Sequence, residues 1–210
     1  MMKVAIFGST GQVGRHLVER TLKRNWDVVA FARSPSKLGE LRDRVEVVEG
    51  DVQDADRVDR AVEGTEAVLS AVGHTSTSEG DVLAVAADHL LDAMRRHDVD
   101  RLVTLVGAGV ETEKDPSSFG RTVMHTLMQW VVGEMLEDAQ RHADRIRASD
   151  QEWVVVRPPR LSNESYSGDW RAGYLQLGPL DSMSRADLAE FMLQQVESDE
   201  WIRESPMVTN

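Results

Sequence analysis

Seven residues constrain this chain more than any others. Gly8-Ser9-Thr10-Gly11-Gln12-Val13-Gly14 follows a short β-rich run, Lys3–Phe7, and opens a stretch, Gln12–Arg24, whose apolar residues Val13, Leu17, Val18 and Leu22 recur at helical spacing. A strand, a glycine turn and a helix in that order form a phosphate cradle. Gly8 permits a sharp exit from the strand. Gly11 lets the backbone approach a pyrophosphate with no Cβ in the way, and Gly14 allows close packing of helix on sheet. The helix N-terminus then offers unpaired N–H groups and a partial positive charge to the phosphates, with Thr10, Gln12 and Val13 adding side-chain or backbone contacts. The spacing is Gly-x-x-Gly-x-x-Gly, a variant of the usual dinucleotide fingerprint.

The rest of the chain repeats the alternation. Asp27–Ala32, Val45–Glu49, Ala67–Ala71, Arg101–Val106 and Glu152–Arg157 read as strands, while Asp54–Glu63 and Val82–His97 read as helices. A longer helix has an apolar face through Met128, Val131, Val132, Met135, Leu136, Ala139, Ala143 and Ile146. A last helix starts near Ser184, three residues before Asp187, in the pattern of a capping box with Asp in place of Glu. Residues 160–180 read as loop with a short strand near Tyr174–Leu177. Six strands interleaved with helices predict an α/β class chain. We expect a single Rossmann-type doubly wound parallel sheet over residues 1–210, with helices on both faces and a small C-terminal substrate-side cap at 160–180.

In such a sheet the residue ending the second strand faces the adenosine ribose, and an acid there accepts from a 2′-hydroxyl. This chain has Arg33 there, then Ser34 and Lys37, with no acid between Asp27 and Glu40. A guanidinium suits a 2′-phosphate, so the expected cofactor is NADP(H) in preference to NAD(H). Asp51 in Gly50-Asp51-Val52 is placed to accept from the adenine amino group, with Val52 against the ring, or to begin the following helix. Ala71-Val72-Gly73 is small enough to pass beneath the cofactor ribose, and Pro158 ends the sixth strand at the edge where ligands sit.

Composition narrows the chemistry. The chain has 210 residues and no cysteine, which removes thiol nucleophiles, disulfides and Cys-held metals. Its formal net charge of −12 opposes binding to nucleic acid or anionic membranes. Twenty of its 24 basic residues are Arg, which fits either a salt-adapted source or a genome that favours Arg codons. Residues 1–7 run straight into a strand pattern, without the longer apolar region and cleavage site of a leader. No apolar run nears the ~20 residues of a membrane helix. The expectation is a soluble cytoplasmic protein, a monomer or homodimer.

These segments, with Phe31-Ala32-Arg33, Val103–Gly109, Val156–Arg160 and the late helix from Ser184, resemble the atypical, NmrA-like NAD(P)H-binding branch of the short-chain dehydrogenase/reductase superfamily. Within it the chain resembles the biliverdin-IXβ reductase/flavin reductase group. The resemblance implies NADPH in an extended cleft and hydride delivery to a flavin or other conjugated acceptor. It also exposes departures. The Tyr-x-x-x-Lys pair is absent, since Tyr166 is followed four residues on by Trp170 and Tyr174 by Gly178. Gly107-Ala108-Gly109 has no hydroxyl where the flavin-reductase group has Ser, and Arg160 stands where that group has His.

Missing acid–base groups favour a flavin, quinone or similar acceptor, whose reduction needs stacking and a proton available from water. Arg160, His74 and Tyr174 are the catalytic candidates, with Tyr166 and Trp170 as possible stacking surfaces. Each also has a structural reading: a salt bridge, a loop residue, cap packing. His125, Gln129 and His142 make no convincing metal site, and none is expected; Met124, Met128 and Trp130 read as core or partner-facing. Two alternatives stay open: a non-catalytic NADP(H)-binding redox sensor of the NmrA type, and a sugar-nucleotide epimerase-like enzyme.

Overall fold

The computed structural model describes residues 2–74, 80–116 and 119–210, the side chains of 119–132 excepted. Strands β1 (Lys3–Phe7), β2 (Asp27–Ala32), β3 (Glu46–Glu49), β4 (Ala67–Ser70), β5 (Arg101–Leu105) and β6 (Glu152–Val156) form one parallel sheet in the order β3-β2-β1-β4-β5-β6. Helices α1 (Gln12–Lys23), α2 (Ala55–Val62), α3 (Val82–Arg96), α4 (Phe119–Arg147) and α5 (Arg185–Glu197) flank it.

The strands show why. In β1 and β2, Ala5, Phe7, Val29 and Phe31 face a core shared with α2, α3 and α4. Their neighbours Val4, Ile6, Val28 and Ala30 face a second core with α1 and α5. Two buried faces demand continuous apolar strands, and that is what these segments are. Strand order reverses between β1 and β4, which opens a crevice at their carboxyl ends.

Three expectations need correction. The short strand expected near Tyr174–Leu177 lies earlier, as β8 (Arg171–Gly173), and β7 (Arg160–Ser162) and β9 (Ser182–Ser184) add a second small pairing. Strand β8 pairs antiparallel with β10 (Met207–Thr209), so its register is set by residues at the far end of the chain. The apolar stripe of α4 is broken: Met135 is exposed, while Asp138 and His142 are buried. The reason is the start of α3, whose N–H groups need an acceptor that Asp138 supplies.

The third concerns α5. Ser184 caps it by accepting from Asp187 N–H at 3.0 Å. The Asp187 carboxylate is taken up by Ser184 Oγ, Ser167 and Gly168 and does not close the box; Asn210 accepts from Ser184 N–H instead, at 2.6 Å. The segment before β10 also covers the sheet's open edge. Glu204 and Pro206 carbonyls accept from Val155 and Arg157 N–H, pairing residues the strand would otherwise expose.

Candidate nucleotide cleft

Between β1 and β4 lies a cleft of about 610 Å³. Its floor is close-packed backbone. Gly8 has φ +73°, and a Cβ there would lie 2.5 Å from the Ala71 carbonyl oxygen. A Cβ on Gly14 would overlap the Gly8 carbonyl oxygen outright. The turn is closed by Gly11 N–H donating to Gly8 O at 2.9 Å, and Ser9 Oγ ties it to β2 by donating to Phe31 O at 2.8 Å. No side chain caps α1 and its first turn carries no acid, so the positive end of the helix is uncompensated. A glycine cradle without Cβ atoms, facing an uncapped helix end, fits a pyrophosphate.

Gly8, Thr10, Gly11, Arg33, Lys37, Asp51, Val52, Ala71, Val72, Gly73 and His74, all expected from the sequence, line this one cleft. Gln12, Val13, Gly14 and Pro158 do not line it. Val13 turns its side chain into the core with Leu17 and Val18, leaving its backbone toward the turn. Pro158 is buried past β6, where its carbonyl accepts from Ala108 N–H.

At one end, Arg33 Nη1 lies 3.8 Å from Asp51 Oδ2, with both side chains partly exposed. An exposed pair at that distance is held by about 1 kcal/mol or less and opens readily to a stronger anion. Asp51 also accepts from Gln53 N–H at 3.0 Å, and His89 Nδ1 donates to Val52 O at 2.9 Å. The loop carrying Lys37 is pinned to α1, since Arg15 donates to the carbonyls of Lys37 and Leu38. Arg15 and His89 had no sequence signal. Both act through backbone carbonyls, which no side-chain pattern marks.

At the other end, His74 Nε2 lies 3.2 Å from Asp138 Oδ2, at ion-pair distance but off the line of a good hydrogen bond. Asp138 is fully buried and accepts from Leu83 N–H at 2.8 Å and Ala84 N–H at 3.1 Å. One turn on, His142 Nδ1 donates to Leu83 O at 2.8 Å, so its Nε2 accepts from Thr104 Oγ1 at 3.0 Å. Burial pushes the His142 pKa down and keeps the ring neutral.

The other candidates lie elsewhere. Arg160 is exposed on β7. Tyr174 lines a separate cavity of about 640 Å³ with Lys114 and Glu204, and donates to Glu204. Burial and that bond raise the Tyr174 pKa, and Lys114 and Tyr174 together lower that of Glu204 against the effect of burial. Tyr166 sits under the Arg20 guanidinium, 4.2 Å from ring centroid, and Trp170 meets Phe191 edge-on, so both pack against the α1/α5 layer. The side chains of Met124, His125, Met128, Gln129 and Trp130 lie outside the described residues. Among the described residues, no group of three His, Asp or Glu is placed to hold a metal, and no helix is long and apolar enough to cross a membrane.

A family model described as NAD(P)H-binding matches residues 8–199, from the glycine turn to beyond α5. The chain belongs to the NAD(P)H-binding family. Oxidoreductase nsrR of Aspergillus novofumigatus is 25% identical over 216 residues, covering 93% of this chain and 78% of that protein. Oxidoreductase aflX of Aspergillus parasiticus is 25% identical over 185 residues, covering 80% and 68%.

The fold recurs in solved structures. A wide-type short-chain dehydrogenase/reductase from Veillonella parvula, in complex with NADP, has a TM-score of 0.79 at 18% identity, covering 100% of this chain and 94% of that one. ChuY, an anaerobillin reductase from Escherichia coli, has a TM-score of 0.81 at 18% identity, covering 99% and 96%. Family and relatives together make this NAD(P)H-binding protein an NAD(P)H-dependent oxidoreductase.

Proposed function

We propose that the chain is an NADPH-dependent reductase that passes hydride to a flavin, a quinone or a similar conjugated acceptor, as one cytoplasmic domain. The observation that carries this reading is the placement of Arg33 and Lys37 at the β2 end of the cleft, with Lys37 on a loop that Arg15 pins to α1. A 2′-phosphate there meets two cations, and the planar guanidinium gives it a bidentate partner. Gly8, Gly11 and the first turn of α1 would hold the pyrophosphate, and Asp51 and Val52 the adenine. Ala71–Gly73 would pass under the second ribose.

When bound, reduced nicotinamide supplies two electrons and a hydrogen as hydride. The chain contributes placement: the backbone floor lets a flat acceptor lie close over the cofactor, and apolar Val72 and Val82 at the cleft wall help exclude water. Without the Tyr/Lys pair this suits conjugated acceptors better than simple ketones. The resemblance to the biliverdin-IXβ reductase/flavin reductase group points the same way, and so does ChuY, whose name gives it an anaerobillin substrate.

The test is NADPH oxidation, followed optically, with flavins, quinones and linear tetrapyrroles as acceptors. Turnover above the enzyme-free rate with at least one is expected. None with any would overturn the proposal and favour the NmrA-type sensor, for which Arg160 and Tyr174 lying outside the cleft is the supporting observation. The epimerase-like alternative lacks the tyrosine that chemistry uses.

A further inference from the structure

His74 is a cleft residue with a carboxylate behind it. It follows β4, so it lies at the end of the cleft opposite Arg33, beyond the strand-order reversal, where the redox half of a dinucleotide extends. Its side chain is about 10% exposed while Nε2 itself is buried, so the buried nitrogen faces Asp138 and the exposed part of the ring faces the cleft. Asp138 is held rigidly, since two α3 N–H groups donate to its two oxygens. Around the pair stand Arg141, 3.7 Å from Asp138, the α3 N-terminus, and His142, which is neutral and committed to Leu83 and Thr104.

We infer that His74 is the proton donor of the reductase and that Asp138 is the positioning residue that orients it. The inference rests on the reductase reading above. Nε2 lies 3.2 Å from Asp138 Oδ2 but off the line of a hydrogen bond. On the proposal this contact aligns when cofactor and acceptor bind, as catalytic hydrogen bonds of ligand-free sites do, so that Nε2–H donates to Asp138 and Nδ1 is left toward the acceptor, the arrangement by which a buried Asp orients a catalytic imidazole. For a quinone, two electrons arrive with the hydride and leave a hydroquinone mono-anion. Imidazolium Nδ1–H gives its proton to the anionic oxygen, and the neutral ring recovers a proton from water. Asp138 stays ionised throughout. His74 supplies the proton for which the sequence offers no Tyr or Ser.

Two measurements test this. The first needs no turnover: the ring 15N shifts of His74 report which nitrogen carries the proton, in the wild type and in Asp138→Asn. The Nε2–H tautomer should dominate in the wild type and lose that dominance in the variant; identical shifts in the two proteins overturn the pairing. The second uses His74→Gln, which leaves the α3 contact with Asp138 intact, with menadione as the quinone. In the wild type kcat should fall as pH rises, because the donor must carry its proton. In the variant kcat should be at least tenfold lower and lose that dependence, with NADPH affinity kept. A wild-type profile in His74→Gln overturns the catalytic assignment. If the wild type turns over no acceptor at all, the reductase reading fails, and with it His74 as proton donor, while the ring 15N shifts still decide whether Asp138 holds His74.

Discussion

Arg157 and Asp115 form a bidentate ion pair with both side chains withdrawn from water, Nη1 to Oδ2 at 2.8 Å and Nη2 to Oδ1 at 2.6 Å. Arg157 also donates to the carbonyls of Val110 and Ser205, so one guanidinium joins the end of β6, the loop after β5 and the segment before β10. Asp115→Ala would leave a buried guanidinium without its counter-charge. The expected loss is about 3–5 kcal/mol of stability, read from urea unfolding, with a double variant that also replaces Arg157 by Met recovering part of it.

That pair also shows where sequence reading stopped. The glycine turn was legible because everything it needs lies within a few residues of Gly8, and the strands because two buried faces force continuous apolar runs. Arg157 was visible only as part of Arg157-Pro158-Pro159-Arg160 at a sheet edge; its partner stands 42 residues away. Asp138 was hidden inside a helical stripe because its partners, Leu83 and Ala84, are some 55 residues back. Tyr174 sits near a ligand-like cavity, yet only the pairing of β8 with β10 shows that it faces Glu204 and not the nucleotide cleft.

The glycines of the turn differ in what they tolerate. Gly14→Ala would drive Cβ into the Gly8 carbonyl, and backbone on both sides has to shift. Gly73→Ala meets nothing within 4 Å. NADPH affinity by fluorescence titration should drop at least tenfold in the first variant, with a lowered melting temperature, and change little in stability in the second.

Arg33 should set cofactor choice. Arg33→Asp replaces a cation with a ribose-facing acid at the end of β2, so NADPH binding should weaken about 10- to 100-fold, the scale of a charged hydrogen bond, while NADH binding changes far less. Because Arg33 is partly exposed and only 3.8 Å from Asp51, salt should erode the wild-type preference. Equal affinity for both cofactors before and after the substitution would remove Arg33 from this role.

Asp187 should make the junction between residues 167–168 and α5 acid-sensitive. Burial alone would raise its pKa, but Gly168 N–H, Ser184 Oγ, Ser167 N–H and Ser167 Oγ all donate to it and hold it below the usual carboxylate value. Asn210 Nδ2 donates as well, so one carboxylate joins residues 167–168, the start of α5 and the chain's last residue. A group with a depressed folded pKa contributes stability that is complete above its unfolded value, about 3.9, and is lost as pH falls through the lower folded value. Asp187→Asn should therefore be less stable than the wild type at pH 7, and the gap should close as pH drops below about 4. Urea unfolding of both proteins between pH 3 and 7 measures it; a gap independent of pH would show that the ionised carboxylate is not what fastens this junction.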